Sequence, residues 1–296
     1  MSAADPAGVL TRPASPPDLV LRYGPGPDQV ADLRLPAGLE VGAAGWAPVL
    51  VLLLHGGFWR AAYDRVHLGP LASALAAESF LVCTPEYRRT GQPGGGWPGT
   101  FDDVAAAVDR LPGLVRSAVP VAGGAGLRVI LAGHSAGGHL ALWSAGRHRL
   151  SPDCAWHRTA GASGVGGALG SEVARVAGVV ALAPVSDLAD CYRRGLDNDA
   201  AGELLGGGPA DQPRRYAVTD PARLVPLGVP VRMVHGTADD RVPFAMSRSF
   251  AGRAQAAGDE VQLAELAGGG HFDVIDPLSA AWPAVLGAFR SVAKPV

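Results

Sequence analysis

Short apolar runs rich in β-branched residues recur along this chain at wide spacing, and they restrict its fold more than any other feature. Residues 49–54, 80–84, 129–132, 179–183, 231–235 and 261–266 form these runs. Each is shorter than an ordinary helix, and most are too continuously apolar for a strand with one wet face. Such runs read as strands buried on both sides, the arrangement of a parallel sheet. Two earlier segments, 19–23 and 30–35, alternate more and suit an antiparallel edge.

Helical periodicity fills the gaps. Thr100 opens a capping-box pattern with Asp103, and Phe101, Val104, Ala105, Val108 and Leu111 follow at helical spacing. A second helix is expected over 244–257, stopped by Gly258. A third has Asp276 as N-cap, Pro277 at its first position, and a stripe of Trp282, Val285, Leu286 and Phe289. Strands alternating with helices imply an open, mostly parallel α/β sheet with helices on both faces and right-handed crossovers.

Two stretches break the rhythm. Residues 158–172 are mostly Gly, Ala and Ser and read as a mobile loop. Residues 186–228 hold Tyr192, Arg193, Arg194, Leu204, Leu205 and Tyr216 between two strands, too much for a simple crossover, and read as a small lid. The expected organisation is an N-terminal tail over 1–17, mobile, and one α/β domain over 18–296 with the lid inserted.

With 48% hydrophobic and 18% charged residues, the chain builds a core. Net charge is −2, without long runs of one sign, so no nucleic-acid surface and no polybasic membrane anchor are expected. The N-terminal residues lack a basic start and an apolar core segment, and no apolar run reaches membrane-spanning length. A soluble, cytoplasmic protein is the expectation. Cys83, Cys154 and Cys191 make neither a disulfide framework nor a metal pattern.

The chemistry sits where apolar runs end. Gly133-His134-Ser135-Ala136-Gly137 follows the run 129–132 and precedes a helical pattern over 136–145. A serine on a sharp strand-to-helix turn needs small neighbours because the turn is crowded, and Gly133 and Gly137 supply them. In a chain of 41 glycines a bare Gly-x-Ser-x-Gly can be only a tight turn. The strand before and the helix after weigh against that. His55-Gly56-Gly57-Phe58-Trp59 follows the run 49–54, where two glycines let backbone N–H groups turn toward a substrate oxygen. Gly56, Gly57 and Ala136 are therefore candidate oxyanion donors, against the blander reading of a Gly-rich strand end.

A hydroxyl nucleophile needs a base, and the base needs a carboxylate to orient it. His271, in Gly268-Gly269-Gly270-His271-Phe272-Asp273, lies on a flexible loop after the last strand. His55, His134 and His235, at strand ends, read as structural, His139 as packed, and His67, His148 and His157 lack supporting context. Asp239, just past the run 231–235, is the favoured acid. Asp240 and Asp187 are its rivals. Phe58, Trp59, Trp97, Tyr192 and Tyr216 are candidate pocket walls, although aromatic residues more often pack a core. Arg193 and Arg194 can meet a substrate carboxylate, but a solvated helix face explains them as well.

From about Asp18 to Phe289 the chain resembles the α/β-hydrolase superfamily, in the branch of hormone-sensitive-lipase-like esterases and kynurenine formamidases. The motifs carrying this are His55-Gly56-Gly57-Phe58-Trp59, Gly133 to Leu140, Ala183 to Leu188 and His271-Phe272-Asp273, in the expected order. The lipase-like branch usually has a third glycine where this chain has Phe58, so the first motif is similar to the formamidase branch. The resemblance implies an α/β-hydrolase fold and a catalytic triad of Ser135, Asp239 and His271 in the order Ser, Asp, His. It also implies hydrolysis of a small carboxylic ester or aryl formamide through an acyl-enzyme, with no cofactor and no metal. A tailoring hydrolase, thioesterase or cyclase of a specialised biosynthetic pathway carries the same motifs. A binding protein that kept the fold and lost catalysis is the remaining alternative. A homodimer formed through the terminal helix also fits the superfamily.

Overall fold

A computed structural model describes residues 6–36, 49–119, 127–158 and 175–294. The stretch 159–172 expected as a loop lies outside them. Among the described residues, eight strands form one sheet: β1 (Leu19–Arg22), β2 (Val30–Arg34), β3 (Val49–Leu54), β4 (Leu81–Pro85), β5 (Arg128–His134), β6 (Arg175–Leu182), β7 (Val231–Gly236) and β8 (Val261–Leu266). The helices are α1 (Gly69–Ala77), α2 (Gly99–Ala118), α3 (Ala136–Gly146), α4 (Leu188–Arg193), α5 (Ala200–Leu205), α6 (Pro213–Thr219), α7 (Phe244–Ala256) and α8 (Trp282–Ala293).

Strand order is β1-β2-β4-β3-β5-β6-β7-β8. The pairs β1–β2 and β2–β4 are antiparallel, and β3 through β8 run parallel with β4. The early alternating segments thus form an antiparallel edge, as expected. The apolar runs divide by period two between two cores. Leu50, Leu52, Leu54, Leu131 and Met233 face α2, α3 and α7, and Val51, Leu53, Ile130, Ala132 and Val234 face α1 and α8. Both faces are covered because the central strands have no polar face to offer water. The run 261–266 is the exception: it forms the edge strand β8, with Gln262 and Glu265 exposed. Its apolar residues still divide between the two cores, Val261 and Leu263 in one and Ala264 and Leu266 in the other.

Two helix starts differ from expectation. α2 begins at Gly99 after Pro98, so Thr100 lies inside it. The Thr100 hydroxyl donates to Arg88 O at 2.6 Å, and Asp103 holds the Arg88 guanidinium at 2.8 Å. These tertiary partners outcompete a local cap. α8 begins at Trp282, with Pro283 in its first turn. Asp276 instead accepts from Leu278 N and pairs with Arg12. Residues 6–11 of the expected mobile tail form a 3-10 helix whose Val9 is buried in the α1/α8 core.

Candidate active site

Ser135 stands alone between β5 and α3, with φ 56° and ψ −118°. A non-glycine residue there is strained. The turn is closed by backbone bonds from Ser135 N to Leu182 O at 2.9 Å and from Val185 N to Ser135 O at 3.1 Å. No side chain fits on either flank: a Cβ at Gly133 would lie 2.2 Å from Gly137 O, and one at Gly137 would lie 2.1 Å from Leu54 O. The hydroxyl does not cap α3, so the helix N-terminus, with the Ala136 N–H in its first turn, faces this turn unquenched.

The carboxylate and the imidazole meet at the ends of β7 and β8. Asp239 Oδ1 accepts from Arg241 N and Val242 N, each at 2.8 Å. Its Oδ2 lies 2.6 Å from His271 Nδ1 and 3.0 Å from His235 Nε2. The Asp239 side chain has no exposed surface. Burial alone would raise its pKa. The hydrogen bonds from His235 and His271, and the charge His271 can carry, instead hold it well below the carboxylate range. Asp240 is exposed beside Arg241, and Asp187 caps α4 through Asp190 N. Neither rival touches His271.

The His271 loop, expected to be flexible, is tied at several points. Thr237 N donates to Leu266 O and Ala238 N to Gly269 O. Gly268 N meets Thr237 Oγ1 at 2.9 Å, and Gly270 N meets Asp273 Oδ2 at 2.8 Å. A Cβ at Gly236 would lie 2.1 Å from Gly269 O, so glycine is needed where this loop crosses the end of β7. His134, beside Ser135, bonds His271 O through Nε2 at 3.0 Å, and the two rings lie 4.5 Å apart. Burial, then the neighbouring His271, depresses the His134 pKa far below the usual histidine value. Its ring is neutral, with the proton on Nε2.

The loop after β3 lies against the Ser135 turn. A Cβ at Gly56 would come within 3.1 Å of Ser135 Cβ and 3.0 Å of His134 O. Gly57 has φ +103°, and its missing Cβ makes room for Tyr63. Phe58 and Trp59 continue with φ 47° and 57°, two strained residues in succession. His55 anchors this loop: its Nε2 is 2.8 Å from Glu86 Oε1, and its ring stacks on Tyr87 at 4.2 Å. Burial pushes the Glu86 carboxyl up, but His55 and Arg89 outweigh it and hold its pKa at about 2. Sequence reasoning did not single out Glu86 or Tyr63. The only local signal for Glu86 was a charged residue two positions past an apolar run.

The expected pocket residues separate. Trp59 is fully buried, and its indole N–H donates to His139 Nδ1 at 3.2 Å. Burial lowers the His139 pKa to about 4, so the ring is neutral and its Nε2 reaches Thr219 O at 3.0 Å. Tyr216 is also fully buried, with its hydroxyl on Gly207 O. Both pack the interior of the fold, which corrects their expected place on a wall. Phe58, Trp97 and Tyr192 are partly buried at the margin of the core. Trp97 N donates to Leu204 O, and the Arg215 guanidinium covers its ring at 5.3 Å. Arg193 is exposed and pairs with Asp190 on its own helix, and Arg194 bonds the same carboxylate.

Residues 186–228 carry α4, α5 and α6, and they connect to the loop after β3 through one side chain. Arg60 reaches Asp197 Oδ2 at 2.7 Å, Glu203 Oε2 at 2.5 Å, and the carbonyls of Asp197 and Asn198. Among the described residues no group of His, Cys, Asp and Glu is placed to hold a metal. No helix there is long and apolar enough to cross a membrane.

A parallel sheet, a serine on a strained strand-to-helix turn and an Asp–His pair beyond later strands define an α/β-hydrolase. Residues 39–253 match the family model described as BD-FAE, and the chain belongs to this family of α/β-hydrolases. It is 26% identical over 266 residues to a probable isoprenylcysteine alpha-carbonyl methylesterase of Oryza sativa subsp. japonica, covering 86% of this chain and 58% of that protein. It is also 26% identical over 269 residues to the isoprenylcysteine alpha-carbonyl methylesterase of Arabidopsis thaliana, covering 86% and 57%. The chain thus spans less than three fifths of the length of these curated relatives. Among solved structures, esterase B from Lactobacillus rhamnosis superposes with a TM-score of 0.71 at 19% identity, over 97% of this chain and 89% of that one. A carbohydrate esterase from gut microbiota gives 0.69 at 18% identity, over 95% and 100%. At these identities the likeness is one of fold.

Proposed function

We propose that this chain is a serine esterase that hydrolyses a small carboxylic ester through an acyl-enzyme, with Ser135 as nucleophile, His271 as base and Asp239 as the orienting acid. The observation that carries the reading is the 2.6 Å contact of His271 with a buried Asp239, on a histidine whose neighbour His134 precedes the strained Ser135. His271 takes the hydroxyl proton as Ser135 Oγ bonds to the ester carbon, and the Ala136 and Gly57 N–H groups, with Gly56, stabilise the oxyanion. The ester C–O bond then breaks and the alcohol leaves with that proton. Water, deprotonated by His271, cleaves the acyl-serine and restores the hydroxyl. Residues 186–228 act as a lid whose exposed margin, with Phe58, Trp97 and Tyr192, contacts the substrate.

Esters rank above aryl formamides because the curated relatives bear methylesterase names. The test is fluorophosphonate labelling followed by peptide mass spectrometry, beside hydrolysis of p-nitrophenyl acetate, a prenylcysteine methyl ester and N-formylkynurenine. Label on Ser135 and turnover of the esters, both absent in Ser135→Ala, are expected. Labelling elsewhere, or ester turnover by Ser135→Ala, overturns the reading. Turnover of the formamide alone moves the substrate class and keeps the triad.

A further inference from the structure

Asp239 Oδ2 receives two imidazoles, and the catalytic reading uses only one of them. We infer that His235 is a positioning residue for the acid, fixing the Asp239 carboxylate so that Oδ2 stays in line with His271; this rests on the proposed role of Asp239. The second imidazole belongs to the β7 strand itself, with a fully buried side chain. Its Nε2 lies 3.0 Å from Asp239 Oδ2 and 3.0 Å from Val242 O. A backbone carbonyl only accepts, so Nε2 carries the proton and shares it between the two oxygens. In the neutral ring Nδ1 then accepts the Ser247 hydroxyl at 2.7 Å, which ties the imidazole to α7. Phe244 packs edge-on against the ring at 5.7 Å.

The arrangement resolves a mechanical problem. Asp239 lies in a turn, His271 lies in a loop, and neither belongs to the sheet. The two N–H groups on Oδ1 come from Arg241 and Val242, in the same turn as Asp239 itself. They orient the carboxylate relative to that turn, whose own ties to the sheet are backbone bonds at Thr237 and Asp239. His235 adds a direct one, since it hydrogen-bonds both the carboxylate and the turn carbonyl of Val242 from a strand paired on both sides. Without it Oδ2 keeps only the hydrogen bond from His271, and the two N–H groups on Oδ1, both from the carboxylate's own turn, are left alone to resist its rotation away from the in-line position.

Amide side chains of two lengths test this. His235→Gln carries an N–H to nearly the reach of Nε2, whereas His235→Asn places its amide near Nδ1 and cannot touch Asp239. His235→Asn is expected to lower kcat for p-nitrophenyl acetate on the order of 10- to 100-fold with KM unchanged, as small misalignments of reacting groups do. His235→Gln should recover to within a few-fold of wild type. The far-downfield proton NMR signal of the short His271–Asp239 bond should persist in Gln and be lost or shifted in Asn. Equal kcat and equal NMR signals in two folded variants overturn the inference. Where His235→Asn does not fold, Ser247→Ala, which frees the ring on its far side, must lower kcat at constant KM and shift the same signal, and wild-type values for both overturn it. Asp239→Asn runs in parallel. If that variant is inactive while His235→Asn keeps wild-type kcat, the positioning role fails and the triad stands; if Asp239→Asn keeps wild-type activity, the triad reading itself fails.

Discussion

Ser135 holds a backbone conformation that its own Cβ disfavours, a cost of about 1–3 kcal/mol stored at the residue proposed to react. Ser135→Gly should therefore melt higher than wild type, by roughly 1 kcal/mol of stability, while losing all esterase activity. Ser135→Ala should be equally inactive and melt close to wild type. Calorimetry of the three proteins checks both, and a Gly variant less stable than Ala shows the turn to be unstrained. Asp239→Asn should cost on the order of 10⁴-fold in kcat, the loss seen when the wrong imidazole tautomer is imposed in a serine protease. Asp240→Asn and Asp187→Asn should cost little, because one is exposed and the other caps α4. A side-by-side rate comparison decides among the three acids. The placement of Ser135, Asp239 and His271 past strand ends was legible in the sequence because each follows an apolar run and sits among small or turn-forming residues. His235 and Glu86 were not, since their roles come from partners chosen by the fold. A histidine four residues before an aspartate looks the same whether or not both meet a third side chain.

At the scale of elements, the sequence was read well where burial decided and poorly where tertiary partners decided. The central strands and α7 fall where their apolar spacing put them, with Gly258 at φ +100° ending α7 as expected. Thr100 and Asp276 fit local capping patterns, yet each is claimed by a distant chain segment, and no periodicity encodes that competition. The 186–228 insertion has the same character. Its length marked it, but Leu204 and Tyr216, plausible as an apolar wall, are buried among its own helices. Leu204→Ala should thus cost about 2–5 kcal/mol and leave the ranking of short and long acyl esters unchanged. A shifted ranking in a protein of wild-type stability would return Leu204 to the pocket. Arg60 is the opposite case, a half-exposed side chain holding Asp197, Asn198 and Glu203 across two elements. Arg60→Ala should speed proteolytic cleavage within 186–228, and high salt should move the wild type in the same direction. Unchanged cleavage would mean that Arg60 does not fasten the insertion.

For the whole molecule, buried carboxylates of opposite character set how stability responds to pH. Asp239 and Glu86 have pKa values below their unfolded ones, so the stability they contribute is present above about pH 4–5 and is lost as pH falls further. Asp220 runs the other way. It sits between α6 and the 3-10 turn after it, and accepts from Leu188 N and Ala222 N, which fastens the start of α4 to the end of α6. Burial, then the nearby charge of Asp187, raises its pKa to about 6. The folded protein therefore holds this proton more tightly than the unfolded chain does. Its stabilising effect is complete below the unfolded value of about 3.9 and fades as pH rises through about 6. Above that pH the ionised, buried Asp220 is a standing cost to the insertion, of roughly 2–3 kcal/mol at most. Asp220→Asn keeps the oxygen that Leu188 N and Ala222 N bond, gives up the long 3.4 Å bond from Ala189 N to Oδ2, and removes the titration. The variant should match the wild type near pH 4 and exceed it near pH 8, a gap that opens between those values and is read from Tm at a series of pH steps. A constant gap across the range would mean that Asp220 is ionised in the fold throughout, with Arg223, 3.9 Å away, compensating its charge.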